Sequence, residues 1–592
     1  MNEETRTCQN CKGSFTIDAS DFLFYEKMKV PPPTWCPECR VKRRLQWRNE
    51  RTLWKKEASN SGKMVVSMIP PGPHKIYEYD YWISDSWDAR EYGKEIDFSR
   101  SFLEQVGELA KEVPWCDLLN VGNVDSQYCH DTLELKNGYL SFDSGYGEYL
   151  YYVTGTHHSH NCFDLTSCTY CERSAESFNC HNSYNAFYSS GCRNCNEVYF
   201  SKDCIGCSNC FGCIGLRNKS YYIFNKPYSK EEYFEELKKY DLGSSSRLQE
   251  IKKQVKEFWL KHPVKFMHGT NNVNVKGDFI DHSKNVKDSF WVAGAEDCRF
   301  MLSCSWPTSK DAYDVCVIGD GAELMYETMG CGVQSSQVKF STMIWPACHR
   351  IQYSIHCANI SDCFGCAGLR SKQYCILNKQ YTKGEYEKLI PKIVEHMKTV
   401  PYKDSRGRIY PYGEFLPPEL SPFSYNESIA REYFPLTKKE VVEQGFLWRD
   451  PEEKNYSITL KNSDIPDNIN DVDDSILKES IECAHKEQCN EQCSTGFKII
   501  HQELSFYREN NIALPHLCPN CRHGERLKER NLFKFYKLKC QCVGKNSDNE
   551  VYANQTIHFH NFSHCPNEFE TSYAPERQEI VYCESCYQSE VA

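Results

Sequence analysis

Apolar residues along this chain come in short bursts, not long faces. Runs such as Glu197-Val198-Tyr199-Phe200 and Tyr221-Tyr222-Ile223-Phe224 read as short strands, broken by Asn, Ser, Gly and Asp. Cysteines recur among them: Cys180, Cys195 and Cys210 are 15 apart, and Cys331, Cys348 and Cys363 are 17 and 15 apart. Short strands at a small regular period predict a parallel β-solenoid, each coil stacking compact side chains on the next. The pattern is duplicated. Cys210-Phe211-Gly212-Cys213 returns as Cys363-Phe364-Gly365-Cys366 at an offset of 153, whereas Cys162, Cys168 and Cys180 match Cys298, Cys304 and Cys316 at 136. The second copy therefore holds 17 extra residues, read as one extra coil. Each copy ends in a capping box that starts a helix, Ser229 with Glu232 and Thr382 with Glu385. These helices are expected to cover an open solenoid edge.

A helical period of another kind appears near both ends. Arg40, Arg44 and Arg48 fall at i, i+4 and i+8, as do Arg522, Arg526 and Arg530, so each trio shares a helix face. Trp47, Trp54, Phe533, Phe535 and Tyr536 lie among these charges. The whole chain carries −11, so both are local basic patches on an acidic protein. Arginine forks beside aromatic faces suit phosphates and unstacked bases. The competing reading is that the arginines pair with acids of the same chain.

Thirty-five cysteines in 592 residues change the picture further. The N-terminal sequence lacks the apolar core of a secretory signal, and no run approaches the 18 residues of a membrane span. A reducing, cytoplasmic setting is expected, where paired cysteines read as metal ligands. Cys8, Cys11, Cys36 and Cys39 form two knuckles, and the frame returns as Cys489, Cys493, Cys518 and Cys521. Most of this second frame sits at an offset of 482, shared by Phe15 with Phe497, Phe24-Tyr25 with Phe506-Tyr507, and all three arginines. Four thiolates make a closed structural zinc site with no open position for a reacting water. A third site is expected from Cys542, Cys565, Cys583 and Cys586, with Cys540 as the rival of Cys542 and His558, His560 and His564 nearby. About three zinc sites follow, with more possible in the solenoid. Cys204, Cys207, Cys210 and Cys213 have the spacing of an iron–sulfur run, but no Pro follows and the second copy has Ile360 in place of Cys207. Stacking is the favoured role for these thiols. Zinc shared between coils comes second, with His157, His158, His160, His181, His349 and His356 as possible helpers.

The expected fold is mainly β with small α/β zinc modules. In order, these are a zinc-ribbon or treble-clef module with its basic helix (1–60), an aromatic-rich connector (61–115) and the first solenoid copy (116–228). Capping helices (229–262), the second copy (263–381) and a capping helix with a polar linker (382–480) follow, and part of 400–475 reads as a mobile acidic linker. The second treble clef (481–539) and a zinc-binding tail (540–592) close the chain.

Cys8, Cys11, Phe24-Tyr25, Pro33, Cys36-Pro37, Cys39 and Arg40 resemble the zinc-ribbon/treble-clef family. The order of the whole chain is similar to large Cys-rich proteins of ultra-small candidate-phylum bacteria. That resemblance implies zinc modules and a cytoplasmic bacterial setting and brings no activity with it.

Three functions compete. The leading expectation is a non-enzymatic zinc protein that grips nucleic acid, structured RNA above all, through Arg40, Arg44, Arg48, Arg522, Arg526 and Arg530. The second is a protein-binding or assembly scaffold, with no membrane partner in either case. The third is a redox or hydrolytic enzyme. It lacks the nucleophile-elbow, metalloprotease and phosphate-loop signatures, and carboxylates such as Asp143, Asp164 and Glu172 form no pair by sequence.

Overall fold

The computed structural model describes residues 2–304, 308–452 and 457–591. The chain is mainly β and contains a long β-solenoid. It divides into two compact units, Met1–Leu119 with Met267–Asp450, and Asn120–Phe266 with Pro451–Ala592. Each unit joins one solenoid copy to one clef, and the pairing is crossed. The N-terminal clef belongs with the second copy, and the C-terminal clef with the first. Sequence order alone suggests neighbouring modules and hides this exchange.

The solenoid of the second unit runs on a period of three. From Asp125 to Phe224 nearly every third residue has φ near +50°, including Asn179, Asn182, Asn185 and Tyr188. Asn, Asp and Gly favour that left-handed region, but Tyr, Glu and Phe also occupy it here. Four such triplets close one coil. Strands then pair in parallel twelve residues on, Phe163 with Ala175 and Ala186 with Val198. One residue per triplet points inward: Cys162, Leu165, Cys168, Cys171, Ser174, Ser177 and Cys180 are all buried. The 15-residue cysteine spacing is therefore not the coil. It counts five triplets, whereas Cys180 stacks on Cys168, whose Sγ accepts its backbone N–H at 3.3 Å.

The same ladder explains the residue types. Inward N–H groups donate to the Oγ of the coil before, as Cys171 to Ser159 (3.0 Å) and Ser189 to Ser177 (3.1 Å). The thiols donate in turn to carbonyls, as Cys162 to His160 O (3.3 Å) and Cys171 to Cys180 O (3.3 Å). Cys and Ser are the small side chains that fill the narrow core and still satisfy backbone groups there.

In the first unit the solenoid widens. Its coils step by 12 residues at Gly277 with Ser289, by 14 at Ala295 with Ser309 and by 13 at Glu323 with Ser336. Larger residues fill the extra room, among them Met301, Val315, Met325 and Met329. The 17 extra residues thus exceed one coil. Each copy ends in a short antiparallel return, Ile223 with Lys226 and Ile376 with Lys379. The helices Lys230–Leu237 and Lys383–Thr399 follow, both opened by complete capping boxes.

Within 400–475, part of which is expected to be a mobile linker, many residues are packed. Tyr410, Phe415, Phe423 and Tyr425 are buried in the first unit, and Ile465, Ile469, Val472 and Ile476 join the core of the second. Asp467 accepts from Ser244 Oγ (2.5 Å) and Ser246 N (2.8 Å) at the start of the helix Ser245–Trp259. Local acidity signalled a loop, but tertiary contacts order it. Part of that stretch, 453–456, and 305–307 of the second copy lie outside the described residues.

Candidate metal centres and the arginine helices

Three cysteine centres share one construction. In the first, Cys8 follows the strand Glu4–Thr7, and Cys36 caps the helix Pro37–Leu45 with Cys39 in its first turn. The Cys36 N–H donates to Cys8 Sγ at 3.2 Å, and Cys11 Sγ lies 3.7 Å from Cys36 Sγ. The Asn10 amide donates to Cys39 Sγ at 3.4 Å. A helix N-terminus favours thiolate charge, and Pro37 at its start has no N–H to strand.

The second centre repeats this with one exchange. Cys483 follows the strand Ile481–Glu482, Cys518 caps the helix Pro519–Leu527, and Cys518 N–H donates to Cys483 Sγ at 3.3 Å. Cys483, Cys493, Cys518 and Cys521 converge, so Cys483 takes the place expected for Cys489. Cys489 stands instead with His485 and Cys521, its Sγ 3.6 Å from Cys521 Sγ. The knuckle is stretched by a loop, so spacing pairs Cys489 with Cys493 where the fold brings Cys483 to the four-sulfur group. The usable signal was position: Cys483, like Cys8, directly follows a strand.

In the third centre Cys540 follows the strand Tyr536–Lys539 and Cys583 precedes the helix Glu584–Val591. Cys583 N–H donates to Cys540 Sγ at 3.2 Å. Cys540, Cys565, Cys583 and Cys586 form the four-sulfur group, so Cys540, the rival of Cys542, stands with Cys565, Cys583 and Cys586. Cys542 falls in an adjoining group with His558, His560 and Cys586. Cys586 and the N–H groups of Gly544 and Asn554 lower the Cys542 thiol to about 5, against the effect of burial.

In each group the donor atoms lie within 4.8 Å of one another, so each can hold a metal ion. Tetrahedral zinc with bonds of about 2.3 Å requires sulfurs about 3.7 Å apart. Cys565 to Cys583 at 3.8 Å and Cys586 to Cys565 at 3.7 Å meet that test. No disulfide is present among the described residues.

The arginine rows face inward. Arg40, Arg44, Arg48, Arg522 and Arg526 are buried, and Arg530 is half-buried with its guanidinium over Phe533. In the first unit Arg40 grips Asp314 through Nε (2.9 Å) and Nη2 (2.9 Å). Arg44 reaches Asp314 (3.1 Å) and Glu327 (2.8 Å). Arg43, absent from the expected row, bridges Glu327 (2.9 Å) and Glu414 (2.8 Å). Arg48 pairs with Glu50 at 2.6 Å. In the second unit Arg522 meets Glu503 (2.8 Å) and Asp164 (3.3 Å), and Arg526 meets Asp164 (3.0 Å) and Glu176 (3.5 Å). Burial opposes charge on Arg40 and Arg522, but the facing acids override it and hold both well above the ordinary value.

The two docking sites place their solenoid acids at matching positions. Asp314 and Glu327 lie on paired strands, one position before the pair Val315 and Thr328; Asp164 and Glu176 stand the same way before Leu165 and Ser177. All four acids occupy left-handed triplet positions. Phe24 stacks on Tyr313 at 3.9 Å, and Phe506 lies against Phe163 at 4.3 Å. Of these acids the sequence singles out Asp164 alone, and without a partner, because a coil of twelve or thirteen residues, not local spacing, brings each pair together.

No protein-family model matches the chain, and no curated protein matches it. Among solved structures, one similarity is to a crystal structure of a proposed acetyltransferase from Desulfovibrio desulfuricans G20. It has 11% identity and a TM-score of 0.10, covering 49% of this chain and 72% of that one. Likeness at that level carries no argument about fold or function.

Proposed function

We propose that this is a non-enzymatic zinc protein that serves as a scaffold, its metal centres locking rigid solenoids whose walls bind other proteins. The observation that carries this reading is the fate of the arginine helices. The guanidiniums of Arg40, Arg44, Arg48, Arg522 and Arg526 meet carboxylates of the same chain, which leaves them poorly placed to neutralise phosphates. Closed four-sulfur groups also suit a structural metal and leave no position for a substrate. The walls remain as extended surface. On one of them Tyr146, His158 and Tyr170 stack coil upon coil at 4.9 and 4.7 Å, with Tyr170 57% exposed.

Binding of the zinc-loaded full chain to a structured RNA, followed against salt, tests this. The expected result is no saturable binding at physiological ionic strength. Tight binding that weakens steeply with log salt would overturn the scaffold reading and restore the nucleic-acid one.

A further inference from the structure

We propose that the C-terminal centre holds two metal ions joined by the Cys586 thiolate. This rests on the reading that the cysteine groups bind zinc, and extends it. Two four-ligand groups, Cys540/Cys565/Cys583/Cys586 and Cys542/His558/His560/Cys586, share only Cys586. They therefore describe two tetrahedra meeting at one sulfur. In the second group Cys542 Sγ lies 3.2 Å from His558 Nδ1, and His560 Nε2 lies 3.3 Å from Cys586 Sγ. These separations match sulfur and imidazole nitrogen on one zinc, about 3.5 Å for bonds of about 2.3 and 2.0 Å.

The ring nitrogens facing away from the sulfurs are engaged. His558 Nε2 lies 2.8 Å from Glu590 Oε1, and His560 Nδ1 lies 2.7 Å from the Ser563 carbonyl. Both partners only accept, so each outer nitrogen carries the proton. The inner nitrogens are left with lone pairs aimed at Cys542 and Cys586. Metal-bound histidines are oriented in this way by an acceptor behind the ring. Side-chain amides support the sulfurs, Asn554 to Cys542 at 3.2 Å and Asn567 to Cys583 at 3.3 Å. A Cys542–His558–Glu590 proton relay would show the same distances. However, the side chains of His558 and Glu590 are 0% exposed and Cys542 is buried, so no substrate reaches the thiol.

The test is native mass spectrometry and zinc X-ray absorption on the full chain, beside His560→Asn and Cys8→Ser variants. Wild type should show a metal–metal distance of about 3.5–4 Å. His560→Asn should lose one metal and that distance together, whereas Cys8→Ser should lose one metal and keep the distance. Bound zinc without a metal–metal distance would overturn the bridged pair and leave the zinc reading intact. A chain with no stoichiometric metal would overturn both.

Discussion

The two clef–solenoid pairs make the same contact with different charge balance. In the first unit three guanidiniums, Arg40, Arg43 and Arg44, face three carboxylates, Asp314, Glu327 and Glu414. In the second, the counterpart of Arg43 at the offset of 482 is Glu525, which is exposed. Arg522 and Arg526 there face Asp164, Glu176 and Glu503. The consequence is visible at the second acid of each ladder. Glu327 is 0% exposed in its side chain, whereas Glu176 remains 23% exposed. Burial raises both carboxyls. At Glu327 Arg43 and Arg44 pull back; at Glu176 Asp164 adds to the rise and Arg526 opposes it. A charge leaves water fully only where a dedicated partner meets it.

Metal removal should separate the units most. Structural zinc contributes about 10–16 kcal/mol to small modules of this kind. Cys8 and Cys11 enclose two residues, whereas Cys483 and Cys493 enclose nine. Closing the longer loop costs about 1 kcal/mol more. The second clef should then release metal at about fivefold lower chelator. Hydrogen exchange would show the helix Pro519–Leu527 opening before Pro37–Leu45. Simultaneous release would remove this distinction.

Charge deletion comes next. Asp314→Ala leaves three arginines facing two acids and should cost about 3–5 kcal/mol. Asp164→Ala leaves two facing two and should cost about 1–3 kcal/mol. Denaturant unfolding of the two variants measures the gap, and equal losses would mean that charge balance does not set the difference.

These acids also mark the limit of what the chain shows by itself. The solenoid class, its duplication and three cysteine-rich modules were legible because strands, repeats and knuckles are local in sequence. The coil length was not. Cys180, Cys195 and Cys210 advertise a step of 15, while backbone geometry repeats every third residue and closes at twelve. Without that register, Asp164 and Glu176 are two unrelated acids, and the arginines opposite them look free for phosphate. Cys483 was hidden by a loop insertion, and sequence left Cys540 and Cys542 as rivals because their one-residue spacing does not show which sulfur faces Cys565 and Cys583.

Acid offers a control in which the units should behave alike. Burial, reinforced by Lys56 and Lys111, lowers His74 of the first unit to about 4. Burial, reinforced by His158, lowers His157 of the second to about 4. Both rings stay neutral in the fold while the unfolded chain takes up protons. Stability is therefore untouched above pH 6.5 and falls by about 1.4 kcal/mol per pH unit and per ring from there toward pH 4. His74→Gln and His157→Gln should each flatten that slope by the same amount in pH-dependent unfolding. A slope that changes in only one variant would give one ring a compensating partner in acid.

The smallest effect separates cysteines by place. Cys180 lies in the ladder of the second unit and donates to Phe178 O and Ser189 O, both at 3.6 Å. Cys331 does the same in the first unit toward Met329 O (3.4 Å) and Ser341 O (3.5 Å). A hydroxyl keeps both roles and loses only some apolar volume. Cys180→Ser and Cys331→Ser should each cost about 1 kcal/mol or less and leave the metal count unchanged. Cys521→Ser, by contrast, should cost the second clef its metal. Loss of a metal from either ladder variant would make the solenoid itself a metal-binding element. The contrast between the units would then lie in how their coils are clamped as well as in how their arginines are paired.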